Sequence, residues 1–162
     1  MNTPEIIQSA IASLAAVGLF LNLLHLKTAR RRKSAEFFLG FTQQYSTDSD
    51  ILDARYLIEY NRFEFDERFS GSRIEKSVDK LLAYYDTVSR LVLMKQLKIE
   101  DLKSLAYGIL VVYQNDEIKR YFDFLDDWYS RRGLATKPFE SFRKIAEEVK
   151  ARFYTKKKEV KT

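Results

Sequence analysis

Along most of the chain, apolar residues recur at intervals of three and four, the spacing of one face of an α-helix. Ile51, Leu52, Leu57, Ile58 and Tyr60 predict one helix, and Thr47 with Asp50 resembles a capping box at its start. The run from Phe63 to Ser72, FEFDERFSGS, reads as a loop. Ser72 with Glu75 then opens a longer helix carrying Ile74, Val78, Leu81, Leu82, Tyr85, Val88 and Val92 as far as Leu97. KIED breaks the pattern. Leu102 to Tyr113 predicts a strongly apolar and therefore central helix, and QNDE either bends the chain or carries it on into IKRYFDFLDDWYSRR, which stops at Gly133. Pro138 suits the first turn of a last helix through Phe139, Phe142, Ile145, Ala146, Val149 and Phe153.

The N-terminal pattern differs in kind. Ile6 to Leu26 is 21 residues without a charge, about the length a helix needs to cross the hydrocarbon layer. Its 11 Ile, Leu, Val and Phe residues each favour insertion by roughly 0.3–0.6 kcal/mol, enough to outweigh Gln8, Ser9, Ser13, Asn22 and His25. Of these, Gln8 and His25 lie near the ends, where a polar group reaches the interface. A cleavable export signal wants a basic start and a shorter apolar stretch, whereas this chain starts MNTPE and follows the run with KTARRRK. The expectation is one membrane crossing with a short N-terminus outside. The basic run would stay in the cytoplasm by the positive-inside rule, and helix would continue through Glu36, Phe37, Phe38 and Phe41 to about Tyr45.

Within that run Gln8, Ala15 and Asn22 are seven apart, as are Ile11, Gly18 and His25, and together the six positions form a heptad seam. All but Ile11 are polar or small, which suits close helix approach and cross-helix hydrogen bonding in a bilayer. The seam reads as self-association or pairing with another membrane helix, and alternatively as a span that simply tolerates a few polar residues.

Composition supports an all-α chain: 46% of residues are hydrophobic, while Gly and Pro together number only 7. The net charge of +5 conceals an uneven distribution. Lys27, Arg30, Arg31, Arg32 and Lys33 follow the apolar run, and Lys156, Lys157 and Lys158 fall in a basic tail. Residues 34–149 hold 17 Lys and Arg against 21 Asp and Glu, a net of −4. A mildly acidic body argues against a basic groove along nucleic acid. The basic ends suit the anionic inner leaflet, which attracts each cation near its surface by about 1 kcal/mol, although the tail reads equally as a frayed, solvated terminus. The organisation expected is an anchor with basic stop over 1–33, a cytosolic bundle of about five helices over 34–149, and a basic tail over 150–162.

Few residues offer catalysis. There is no cysteine, which removes thiolate chemistry and Cys-type metal sites and fits a reducing compartment. His25 is the one histidine, so the body can build neither a Ser-His-Asp triad nor a His-paired metal site. No Gly-rich phosphate loop is present, Gly40, Gly71, Gly108 and Gly133 being isolated. The densest acidic group is Asp116, Glu117, Asp123, Asp126 and Asp127, with Asp123 and Asp127 on one helical face. It reads as a solvated face opposite Ile118, Phe122, Leu125 and Trp128, and alternatively as a divalent-metal site. No cofactor is expected.

The layout of an N-terminal span and basic stop, then LLAYYDTVSRLVLMKQLKIEDL, DFLDDWYSRRG and PFESFRKIAEE, resembles an uncharacterised family of small bacterial membrane-anchored helical proteins, a domain of unknown function. The resemblance covers most of the chain and implies a bacterial or phage origin and a helical cytosolic domain; it brings no catalytic residues. The function expected is that of a non-enzymatic, single-pass inner-membrane adaptor or scaffold that binds another protein and self-associates through its span. The alternative is a membrane-acting toxic or defence effector with assembled spans.

Overall fold

The computed structural model describes residues 18–22, 25–26, 28–29, 33, 36, 38–66 and 68–154, and every regular element among them is helical. The chain forms two compact units, Met1–Gln43 and Gln44–Thr162. In the first, each described residue is helical, with Leu19, Phe20, Leu21, Leu26 and Leu39 exposed. The expected span Ile6–Leu26 is described only at 18–22 and 25–26. Among the described residues, no helix is long and apolar enough to cross a membrane.

Residues 38–47 (α1) are helical, followed by α2 (Ser49–Glu59), α3 (Arg73–Leu93), a 3₁₀ turn (Ile99–Ser104), α4 (Ala106–Gln114), α5 (Asp116–Arg131) and α6 (Glu140–Phe153). α3 is the spine of the second unit, packing on both α2 and α6, while α4 lies against α6, α2 and α5. Leu81, Leu82, Tyr85 and Val88 of α3 are buried against an interior that includes Ile51, Ile58, Ile109, Val112, Ile118, Phe142 and Ile145. α4 is the central helix its composition implies, with Ala106, Gly108, Ile109, Leu110 and Val112 buried.

Local chemistry sets the helix boundaries, in places one to several residues from where the pattern puts them. α2 is capped by Asp48 rather than Thr47: its carboxylate accepts from Asp50 N–H and Ile51 N–H, while the Asp50 carboxylate turns to Lys80. Ser72 caps α3 as expected, its Oγ accepting from Glu75 N–H at 3.0 Å; Glu75 reaches back to Gly71 N–H instead of completing the box. α3 ends at Leu93 rather than Leu97, and the expected start of the fourth helix at Leu102 falls in the 3₁₀ turn. At QNDE the chain bends, because the Asn115 side chain accepts from Glu117 N–H and Ile118 N–H and so starts α5 afresh. Gly133 follows α5 at φ 69°, the left-handed conformation that closes a helix C-terminus.

α6 starts at Glu140, two residues beyond Pro138, and Phe139 before it stands at φ 55° with no capping side chain of its own. The cap comes from across the bundle. Asp86 of α3, almost fully buried, accepts from Phe142 N–H at 3.0 Å through one carboxylate oxygen and from Arg90 Nη2 at 2.9 Å through the other. One buried acid thus satisfies an amide at the start of α6 that would otherwise be orphaned.

Candidate functional site

Of the expected seam, Gly18, Asn22 and His25 are helical and exposed; Gln8, Ile11 and Ala15 lie outside the described residues. Among the basic positions Lys33 is helical and exposed, while Lys27, Arg30, Arg31, Arg32, Lys156, Lys157 and Lys158 lie outside the described residues.

The acidic group of α5 does not form one site, because separate cations hold four of its five members. Asp116 pairs with Lys119 at 2.7 Å, Asp127 with Arg131, and Glu117 with Arg120 at 2.7 Å. Asp126 departs from the expected solvated face. It is half-buried and takes a two-pronged contact from Arg143 of α6 at 2.8 and 3.0 Å, with Lys137 at 3.3 Å. Burial pushes its carboxyl up, but Arg143 and Lys137 outweigh that and hold it below the usual carboxylate range. Arg143 also lies 4.2 Å over the Phe122 ring. Among the described residues, no group of three His, Cys, Asp or Glu comes close enough to hold a metal ion.

A tyrosine cluster that helical spacing did not single out lies where α1, α2, α3 and α4 meet. The hydroxyls of Tyr45 and Tyr85 are 2.6 Å apart, and the Tyr45 ring stacks on Tyr84 at 4.9 Å. Gly108 of α4 runs against those hydroxyls: a Cβ there would stand 2.5 Å from Tyr85 Oη and 2.7 Å from Tyr45 Oη. Burial raises both phenols above their ordinary range, Tyr85 far above it. Towards the surface, the Arg55 guanidinium sits between the Tyr45 and Tyr56 rings, 5.6 and 5.7 Å from their centroids. Its Nε pairs with Glu59 at 3.4 Å, and Glu59 in turn accepts from Tyr107 Oη at 3.0 Å. The cluster cross-links four helices.

The Phe63–Ser72 loop is pinned rather than loose. Phe63 and Phe69 are buried, Phe65 and Phe69 pack on Tyr121 at 5.4 and 4.9 Å, and Glu117 accepts from Phe65 N–H at 2.9 Å. Tyr121 Oη donates to Asp79 at 2.7 Å. Two depressions flank the loop. The one of about 710 Å³, lined by Glu64, Phe65, Asp66, Ser70, Glu117, Arg120 and Phe124, has its main groups committed within the molecule: the Phe65 ring packs tilted against Phe124 at 5.5 Å, and Glu117 pairs with Arg120.

The other, of about 430 Å³, runs between α2 and the start of α3. That volume lies within the range of natural ligand clefts. Tyr56 and Tyr60 stack along one wall at 6.1 Å, and Ile74 and the buried Ser77 belong to the other. Arg62 and Arg73 supply cations, with Asp53 the single acid. Tyr60, expected in the core, is 63% exposed, and Ile74 is 45% exposed. Both belong to the apolar pattern that predicts the helices, yet Tyr60 stands just past the end of α2 and Ile74 in the first turn of α3, so periodicity alone assigns them inward.

No family model matches this chain, and neither a curated protein nor a solved structure is significantly similar to it.

Proposed function

We propose that this is a non-enzymatic, single-pass inner-membrane protein whose helical second unit faces the cytoplasm and binds another protein, as an adaptor or scaffold. The resemblance to the uncharacterised bacterial membrane-anchored family belongs to the same proposal. The supporting observation is the run of apolar side chains Leu19, Phe20, Leu21 and Leu26, 50–66% exposed on helical residues directly before the basic run. Exposed apolar residues in series call for burial in lipid or against another chain, and the uncharged length from Ile6 favours lipid. Lys27, Arg30, Arg31, Arg32 and Lys33, with Lys156, Lys157 and Lys158, would then lie against the anionic inner leaflet.

Two measurements test this. The full chain should pellet with membranes and resist carbonate extraction, and a protease added outside the cell should spare the second unit. Release by carbonate, or digestion of the second unit from outside, overturns the topology. Detergent pull-downs that return neither a partner nor a second copy overturn the adaptor role.

A second reading, a membrane-acting effector with assembled spans, draws on the polar and small positions Gly18, Asn22 and His25, which are exposed on helical residues. Growth arrest with loss of membrane potential on induction, abolished by Asn22→Leu, favours it over the adaptor. Harmless overexpression rejects it. In either case Gly18→Leu or Asn22→Leu should weaken membrane-helix association more than Ile11→Ala.

A further inference from the structure

We propose that the cleft between α2 and the start of α3 is the partner-binding site, and that it takes a short acidic segment of a partner protein bearing an aromatic or branched aliphatic side chain. The assignment rests on the adaptor reading and adds to it the place and the chemistry of the partner.

Tyr56, Tyr60 and Ile74 expose 47, 63 and 45% of their surface on the walls of one cleft. Large side chains on a packed helical scaffold stay in water only at a cost, and tyrosine and arginine are the residues that interfaces enrich. The rings are already ordered. Tyr60 is stacked on Tyr56 and has the Arg62 guanidinium 5.9 Å from its centroid, while Arg55 braces Tyr56 from the buried side. An apolar anchor entering here would meet fixed aromatic faces and give up little side-chain entropy on their side.

Charge selects the occupant. Residues 34–149 carry a net charge of −4, yet the cleft lining holds two arginines against one acid. Arg73 makes only a long contact to Asp53, 3.9 Å with both side chains largely in solvent, so its guanidinium can turn to a carboxylate. Among the described residues no ion pair is recorded for Arg62. A cationic spot on an acidic body attracts an acidic peptide while the surrounding surface repels the same peptide elsewhere, which fixes where it lands. The open form of the cleft between two helices suits a chain segment better than an enclosed small molecule.

The test pans a random-peptide display library against the full-length chain in lipid nanodiscs. Recovered sequences should pair Asp or Glu with Leu, Phe or Trp. A fluorescent copy of the leading peptide should lose at least about tenfold in affinity with Arg62→Glu plus Arg73→Glu, and similarly with Tyr56→Ser plus Tyr60→Ser. Lys98→Glu plus Lys103→Glu makes the same charge change outside the cleft lining and should leave affinity nearly unchanged.

Recovery of carboxylate-free peptides, or affinities indifferent to the cleft variants, overturns the site; so does a loss of anionic-vesicle binding by those variants with no peptide effect. Should a variant fail to fold, photo-crosslinking of the peptide to the wild-type chain decides: adducts within residues 53–77 support the site and adducts elsewhere reject it. A full chain that captures a protein crosslinking elsewhere keeps the adaptor role and loses this cleft. Peptide binding at the cleft by a chain that never enters membranes keeps the cleft and loses the anchor.

Discussion

At the residue scale, Gly108 and Asp86 each hold a position no other residue type fills well. Gly108→Ala drives a Cβ into the paired hydroxyls of Tyr45 and Tyr85. It should destabilise the bundle by about 1–3 kcal/mol in urea denaturation. Combined with Tyr85→Phe, which removes the nearer oxygen, the cost should fall short of the sum of the two single changes, the mark of a direct contact. Asp86→Ala strands the Phe142 amide in the interior and should cost about 2–3 kcal/mol. Asp86→Asn keeps an acceptor for that amide and should cost visibly less; equal losses would mean that the Arg90 pair, not the cap, matters. Sequence pattern alone foresaw neither role. Gly108 stands out only as an isolated glycine in an apolar helix, and Asp86 only as an acid on the buried face of α3. What gives each its meaning is an atom far along the chain, Tyr45 for one and Phe142 for the other, and periodicity carries no information about such pairs.

At the scale of elements, the loop between α2 and α3 is tied to α5 by a carboxylate, and acid should loosen the tie. Glu117 sits below the usual range chiefly because Phe65 N–H donates to it, with Arg120 adding to the effect. A depressed carboxylate contributes stability that is present above its unfolded pKa, about 4.3, and is lost as pH falls through the folded value. Asp48, lowered first by its bond from Lys80, and Asp126, where Arg143 and Lys137 overcome the effect of burial, behave in the same sense. Urea midpoints should therefore drop on acidification below about pH 4, and Glu117→Gln should flatten part of that drop. Asp79 works the other way. Burial raises its carboxyl, opposed by the bond from Tyr121 and reinforced by Glu75, so its contribution fades as pH rises through its folded pKa. Asp79→Asn should raise the midpoint at neutral pH, since the amide still accepts from Tyr121; a lower midpoint would show that the charge itself holds α3 to α5. Helix existence and the N-cap at Ser72 follow from local sequence, because capping is a short-range interaction, while QNDE by itself leaves bend and continuation open and the Asn115 cap on α5 decides for the bend. The ends at Leu93 and Glu140 shift beside left-handed residues, Lys95 at φ 57° and Phe139 at φ 55°, whereas the cap at Asp48 is as local as that at Ser72 and lies one residue from where the Thr47–Asp50 spacing puts it.

At the scale of the whole molecule, the chain joins a unit whose described apolar side chains are mostly exposed to a bundle whose described apolar side chains are mostly buried. That contrast was legible from uncharged length and charge distribution, which are sums over many residues and forgive local error. The cleft between α2 and α3 was not, since it depends on which edge of each helix remains uncovered. A chain lacking the residues before Ser34 should lose carbonate-resistant membrane association, and retention would place the membrane contact in the bundle instead. One consequence of the buried hydroxyl pair is evolutionary. While positions 45 and 85 both remain tyrosine, any larger residue at 108 must displace a hydroxyl, and that cost falls once an oxygen is lost. Drift in this fold should therefore be ordered in time at those three sites. Among sequences diverged from this one by random mutagenesis and selection for folding, alanine at 108 should be enriched on backgrounds where 45 or 85 has already changed.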